Sequence, residues 1–180
     1  MNEKENRSST FKEELKQGFI SIIIALVLVF CIRTFVIEIF NIDGFSMYPT
    51  LENGNKLIVN KFVYKIKNPE KGEIIVFKLP EDDKMFYIKR IIALPGDKVE
   101  IKNDVVFVNN KPLKEEYIRD FTKGYHQSIE IPEGQYYVLG DNRSNSKDSR
   151  FNDVGCIPIK NIKGKGMVVF WPLERIKALP

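Results

Sequence analysis

Hydrophobic positions follow two regimes along the chain, and the change between them comes near residue 41. From Phe19 to Phe40 almost every side chain is apolar, on all sides rather than along one stripe. As a helix this run would be about 33 Å long, against a bilayer core of about 30 Å. It predicts a single transmembrane anchor over 18–40, led in by a polar tail over 1–17. Arg33 and Glu38 are its only charges, both in its last third, where a long side chain can snorkel to the interface. Beyond Leu51 the pattern changes to short runs rich in Val, Ile, Phe and Tyr, many alternating in polarity: 56–67, 73–79, 85–94, 98–101, 105–109, 135–139 and 165–170. Asn53-Gly54, Pro95-Gly96-Asp97 and Glu133-Gly134 punctuate them, and Val99 to Asn110 reads as a hairpin turning at Asn103 and Asp104. The predicted fold class is therefore mainly β: one N-terminal transmembrane helix, then an antiparallel β-sheet or barrel-like domain over 41–180.

Orientation follows from the basic residues. Lys4, Arg7, Lys12 and Lys16 precede the span, and no Lys or Arg occurs between Asn41 and Asn55, so the amino terminus is expected in the cytoplasm and the β domain outside it. A cleavable secretory signal is the competing reading, but no Ala-x-Ala pattern follows Phe40. A chain of 180 residues suffices for one domain with a core plus this appendage. The net charge of +4 is carried by basic residues scattered among acids, unlike the basic, aromatic-interleaved stripe of a nucleic-acid binder. Cys31 and Cys156 lie in unlike settings with no metal-ligand spacing, and His126 is the only histidine, so neither metal nor cofactor is expected.

Three stretches carry candidate chemistry. In Asp43 to Leu51, Gly44 permits a sharp backbone path and Pro49 stops a helix, so Ser46 is expected to project from a turn. Taken alone it reads better as a serine in an ordinary surface turn. As a nucleophile it needs a base. His126 lies in a polar stretch that reads as an exposed loop; the other option is a lysine that has lost its proton, and bringing its pKa from ~10.4 to ~7–8 takes roughly 4 kcal/mol of desolvation. Lys89 has the most apolar context of any lysine here. In a strand it shares a face with Tyr87 and Ile91, while Ile88, Arg90 and Ile92 share the other. A solvent-facing strand lysine is the competing reading, since Lys61, Lys65 and Lys78 sit in comparable runs. Gly140 to Arg150 is polar almost throughout. By composition it is a hydrated loop; its Asp, Ser and Arg residues could also form a network that holds a catalytic group.

Taken in order, Ser-Met-Tyr-Pro-Thr-Leu after a span, Tyr-Ile-Lys-Arg-Ile-Ile-Ala-Leu-Pro-Gly-Asp, and Gly-Asp-Asn-Arg-Ser-Asn-Ser-Lys-Asp-Ser-Arg resemble the signature blocks of bacterial type I signal peptidases, in their compact Gram-positive form. The resemblance implies a membrane-bound serine endopeptidase that removes signal peptides from exported preproteins at Ala-x-Ala-like sites. It implies Ser46 as nucleophile and Lys89 as general base, with the Ser46 N–H binding the oxyanion and the Ser146 hydroxyl orienting the Lys89 amine. It further implies that Asp141 pairs with Arg90 and Asp148 with Arg150, and that Ile42, Met47, Leu51, Tyr87 and Ile88 line the substrate pockets. Gly44 stands where some members carry a serine hydroxyl as second oxyanion donor. Two rivals are a soluble self-cleaving repressor with a similar Ser/Lys pair and a non-catalytic anchored β module that binds peptide or envelope polymer. A cysteine hydrolase built on Cys156 is a more distant one.

Overall fold

The computed structural model describes residues 2–79 and 82–180, which fall into two compact units, one ending at Ile37 and the other spanning Glu38–Pro180. The first unit is helical. Helix α1 runs Asn2–Cys31 and continues as a π-helical turn over Ile32–Val36. Within it Lys16–Val36 is long and apolar enough to cross a membrane. The polar leader expected as a tail is thus helical from Asn2, as suits a stretch made largely of Glu, Lys and other good helix formers. The apolar run is not helical to its end. Its last residues open strand β1 (Ile37–Asn41), where β-branched residues alternating with Glu38 fit a pleated surface.

The second unit is built on antiparallel pairing. Its larger sheet has the order β1–β2–β11–β3–β4–β9–β10, formed by β2 (Lys56–Asn60), β3 (Ile74–Leu79), β4 (Asp82–Ala93), β9 (Gln135–Leu139), β10 (Ile157–Pro158) and β11 (Ile162–Trp171); β12 (Lys177–Ala178) adds to β11. The pairs β2–β11, β11–β3, β3–β4, β4–β9 and β9–β10 are all antiparallel. A smaller sheet has the order β7–β6–β5–β8, from β5 (Lys98–Lys102), β6 (Val105–Val108), β7 (Lys111–Pro112) and β8 (His126–Glu130). The β5–β6 hairpin turns at Asn103 and Asp104, whose φ values of 49° and 62° suit the tight turn that matches strand twist. His126 therefore belongs to a strand, opposite Ile101 at the sheet's outer edge. The polar alternation of β8 hid it, since this strand buries little.

Strand β3 is buried on both faces. Ile74 and Val76 pack with Leu51, Leu57 and Val59, whereas Ile75 and Phe77 pack with Ile91, Tyr136 and Val138. A bulge between Ile91 and Ala93 lets Ile92 and Ala93 both enter a third cluster with Val99, Ile101 and Val106, which fastens the smaller sheet to the larger. Strand β4 is thus fixed from both sides at its C-terminal half, which carries Lys89 and Arg90.

Candidate active site

The segment from Asp43 to Gly54 is a loop with its ends tied together. The Ile42 N–H donates to Asn55 O at 2.8 Å, and the Gly54 N–H donates to Ile42 O at 2.9 Å. Ile42, Met47 and Leu51 plug it into the core beside Leu57 and Val59. Leu51 is fully buried there and does not line the cleft, so its expected place in a substrate pocket is corrected: the side chain anchors the loop. Gly44 has φ +101°, a left-handed conformation that a side chain would strain, and its N–H donates to Asn53 Oδ1 at 2.9 Å. Between these anchors Ser46 is left half-buried with its hydroxyl facing β4.

Lys89 meets it from the sheet. Its Nζ lies 2.8 Å from Ser46 Oγ and 3.0 Å from Ile88 O, and the residue is only 4% exposed. Burial strips water from the ammonium and pulls the Lys89 pKa down from 10.5 to about 8; Asp148 and Asp141 oppose that fall, and Arg150 adds to it. The alternation of a strand turns the next side chain away. Arg90 forms a two-pronged ion pair with the fully buried Asp141, Nε to Oδ1 at 2.8 Å and Nη2 to Oδ2 at 2.6 Å, and its Nη1 donates to Gly72 O. Asp148, also fully buried, accepts from Arg150 Nε at 2.7 Å and from the Gly140 N–H at 2.9 Å.

Ser146 is drawn to the same place without making the expected contact. Its Oγ is buried and has no hydrogen-bond partner among the described residues; the Lys89 amine spends its bonds on Ser46 and the Ile88 carbonyl. What Ser146 does meet is Gly140. A Cβ built on Gly140 would stand 2.2 Å from Ser146 Oγ and 2.4 Å from the Ser46 carbonyl oxygen, so only glycine lets these two segments close on each other. Gly140→Ala should push back the backbone of Ser46 itself. We expect a stability loss of about 1–3 kcal/mol and a fall in turnover of about tenfold or more, measurable by thermal unfolding alongside peptide cleavage.

A cleft of about 490 Å³ opens in front of the pair. Ile42, Met47, Tyr87 and Ile88 line it, together with Phe40 and Phe86, whose rings meet edge-on at 5.0 Å. Asn145 and Lys147 form part of its rim. These four lay outside sequence reasoning, although the two phenylalanines stand two residues before Ile42 and Ile88, and Phe86 shares the strand face of Ile88. On β4, pairing with β9 begins only at Arg90, so residues 85–89 have one edge toward the cleft with no partner strand among the described residues. His126 borders a different cleft, with Val99, Tyr137 and Phe151, and Cys156 is a free thiol packed against the third cluster.

Residues 15–171 match the signal peptidase family, peptidase S26. The chain belongs to that family. Signal peptidase I P of Bacillus subtilis subsp. natto is 43% identical over 187 residues, covering 98% of each chain, and signal peptidase IB of Staphylococcus aureus is 39% identical over 184 residues, covering 92% of this chain and 94% of the relative. A crystal structure of a signal peptidase I from Enterococcus faecalis V583 aligns with a TM-score of 0.49 and 32% identity, over 56% of this chain and 97% of that one. As a signal peptidase of this family the protein is a serine endopeptidase, and its long apolar N-terminal helix fits a membrane-anchored enzyme.

Proposed function

We propose that this protein removes N-terminal signal peptides from exported precursors, using Ser46 as nucleophile and Lys89 as general base. The observation that carries the reading is the 2.8 Å approach of a buried, largely desolvated amine to the Ser46 hydroxyl. Neutral Lys89 takes the proton as Ser46 Oγ attacks the scissile carbonyl. The resulting oxyanion is met by the Ser46 N–H, which has no acceptor among the described residues. The Gly44 N–H is engaged by Asn53, which argues against it as the second donor. Lys89 then passes its proton to the departing amine, and the mature chain leaves. Water, deprotonated by the same amine, attacks the ester and frees both the signal peptide and Ser46.

Substrate geometry follows from the cleft. An extended peptide can hydrogen-bond to the cleft-side edge of residues 85–89, with alternate side chains directed at the wall of Ile42, Met47 and Ile88. Walls of branched and aromatic residues favour small side chains before the cleavage point, hence Ala-x-Ala-like sites. The basic residues before the span support a cytoplasmic amino terminus, with Glu38–Pro180 on the outer side. Sharing one membrane plane with its precursors raises the concentration of cleavable sites that the enzyme meets.

The experiment is cleavage of a precursor-derived peptide by the purified protein as a function of pH. Only unprotonated Lys89 can act as base, so kcat/KM should climb about tenfold per pH unit up to a limb near pH 8 and level off above it. A rate flat down to pH 6 would exclude the lysine base, and an uncut precursor would leave a binding module instead.

A further inference from the structure

The peptide bond joining Phe45 to Ser46 is gripped from an unexpected quarter. Its carbonyl, Phe45 O, accepts two hydrogen bonds, from Asn142 Nδ2 at 3.0 Å and from the Tyr48 N–H at 3.1 Å. The N–H of that same planar unit is the Ser46 N–H. Two donors on the carbonyl fix the plane of the unit, and therefore the direction in which the N–H points. They also polarise the amide, which makes the N–H a stronger donor. The next peptide along is held by the same residue, because the Asn142 backbone N–H donates to Ser46 O at 3.0 Å. With the Gly44 N–H tied to Asn53, the orientation of this one donor matters the more.

Asn142 is in turn held on every side. Ser144 Oγ donates to its Oδ1 at 3.1 Å, which sets the amide rotation so that Nδ2 faces Phe45. Its neighbours in sequence are Asp141, paired with Arg90, and Arg143, whose guanidinium is buried. Both guanidiniums are covered by the connection that leads from β7 to β8. Glu115 takes Arg143 through both carboxylate oxygens, with Thr122 Oγ1 as a further acceptor, while the Tyr117 ring lies 4.0 Å under the Arg90 guanidinium and its hydroxyl donates to Glu115 at 2.8 Å. Desolvated charge pairs of this kind resist displacement, because parting them strands a buried ion.

We infer that Asn142 is a positioning residue that aims and polarises the Ser46 N–H toward the oxyanion, and that Glu115 and Tyr117 hold it there through Arg143 and Arg90. This role presupposes the Ser46–Lys89 reaction. It is tested in the full-length protein in detergent, with a peptide substrate and with a peptide aldehyde whose carbonyl adds Ser46 Oγ and leaves its oxygen where the oxyanion forms. Asn142→Ala should lower kcat by about 10²-fold, with KM changed by no more than about twofold. Aldehyde affinity should fall in parallel, and the acid limb of the pH profile should stay in place. Ser144→Ala and Glu115→Gln, which loosen the grip without deleting it, should each cost about fivefold in kcat.

Unchanged kcat in Asn142→Ala, a rise in KM alone, or lost turnover with full aldehyde affinity would each overturn the role. If Asn142→Ala does not fold, the two milder variants decide, and full activity in both overturns it. Lys89→Met in the same assay separates the two layers: an active Lys89→Met defeats the dyad, whereas an inactive Lys89→Met beside a fully active Asn142→Ala defeats only the positioning role.

Discussion

Lys89→Met is expected to lower kcat/KM by about 10³-fold and at the same time to make the folded protein more stable. The loss follows from removing the only amine within reach of the Ser46 hydroxyl among the described residues. The gain follows from the same burial that fits the amine for its proposed part as base. With a pKa of 10.5 when solvated and about 8 in the fold, Lys89 binds a proton less readily in the native than in the unfolded state. Between those two values the unfolded chain holds the extra proton, so stability rises with pH across that window and is lowest below pH 8. At pH 7 the burden is about 3 kcal/mol. Methionine fills a similar volume without a charge. Losing the bonds to Ser46 and Ile88 offsets about a third of the gain at about 1 kcal/mol, leaving a net increase of about 2 kcal/mol and a melting midpoint several degrees higher in detergent. The gap between variant and parent should close as the pH rises from 8 toward 10.5. A variant that is inactive and less stable at neutral pH would mean that the amine is charged and well paired in the native protein.

That trade of stability for reactivity could be only half seen in the sequence. The apolar context of Lys89 was legible, and with it the face it takes in a strand, because the run 85–94 is apolar around it and closes on the turn residues Pro95-Gly96-Asp97. Its distance to Ser46 was not, since forty-three positions separate the two and no local pattern encodes their meeting; the pairing came from likeness to a family. The outlines of the sheets were legible for the same reason as Lys89: apolar runs punctuated by Gly, Pro and Asn. Strand β1 was hidden because its apolar residues continue those of the helix, and β8 because an edge strand can be polar on most of its surface. Leu51 was placed in a pocket wall by likeness to the family, and only packing against Leu57 and Val59 reveals it as an anchor. Asn142 carried no signal beyond a polar run, since its partner Phe45 lies ninety-seven positions away and offers only a backbone carbonyl.

Asp141→Ala is expected to cost about 3–5 kcal/mol of stability, against a total of about 5–15 kcal/mol for a domain. The reason is what it leaves behind. Arg90 is 4% exposed and keeps only the Gly72 carbonyl and a long contact of 3.4 Å to Thr50 Oγ1, so a guanidinium that cannot shed its charge stays buried without a counter-ion. The Tyr117 ring beneath it offers a face but no neutralising charge. Removing both members together, as Arg90→Met with Asp141→Leu, takes the stranded ion away, and much of the lost stability should return. Turnover should not return with it, because the turn of residues 140–143 that holds the Ser46 backbone has lost one of its two clamps. Thermal unfolding and peptide cleavage on the two single variants and the double variant separate these effects. A double variant restored in both would make the pair a packing element with no hold on the nucleophile, whereas stability restored without turnover assigns the ion pair to the geometry of the reaction.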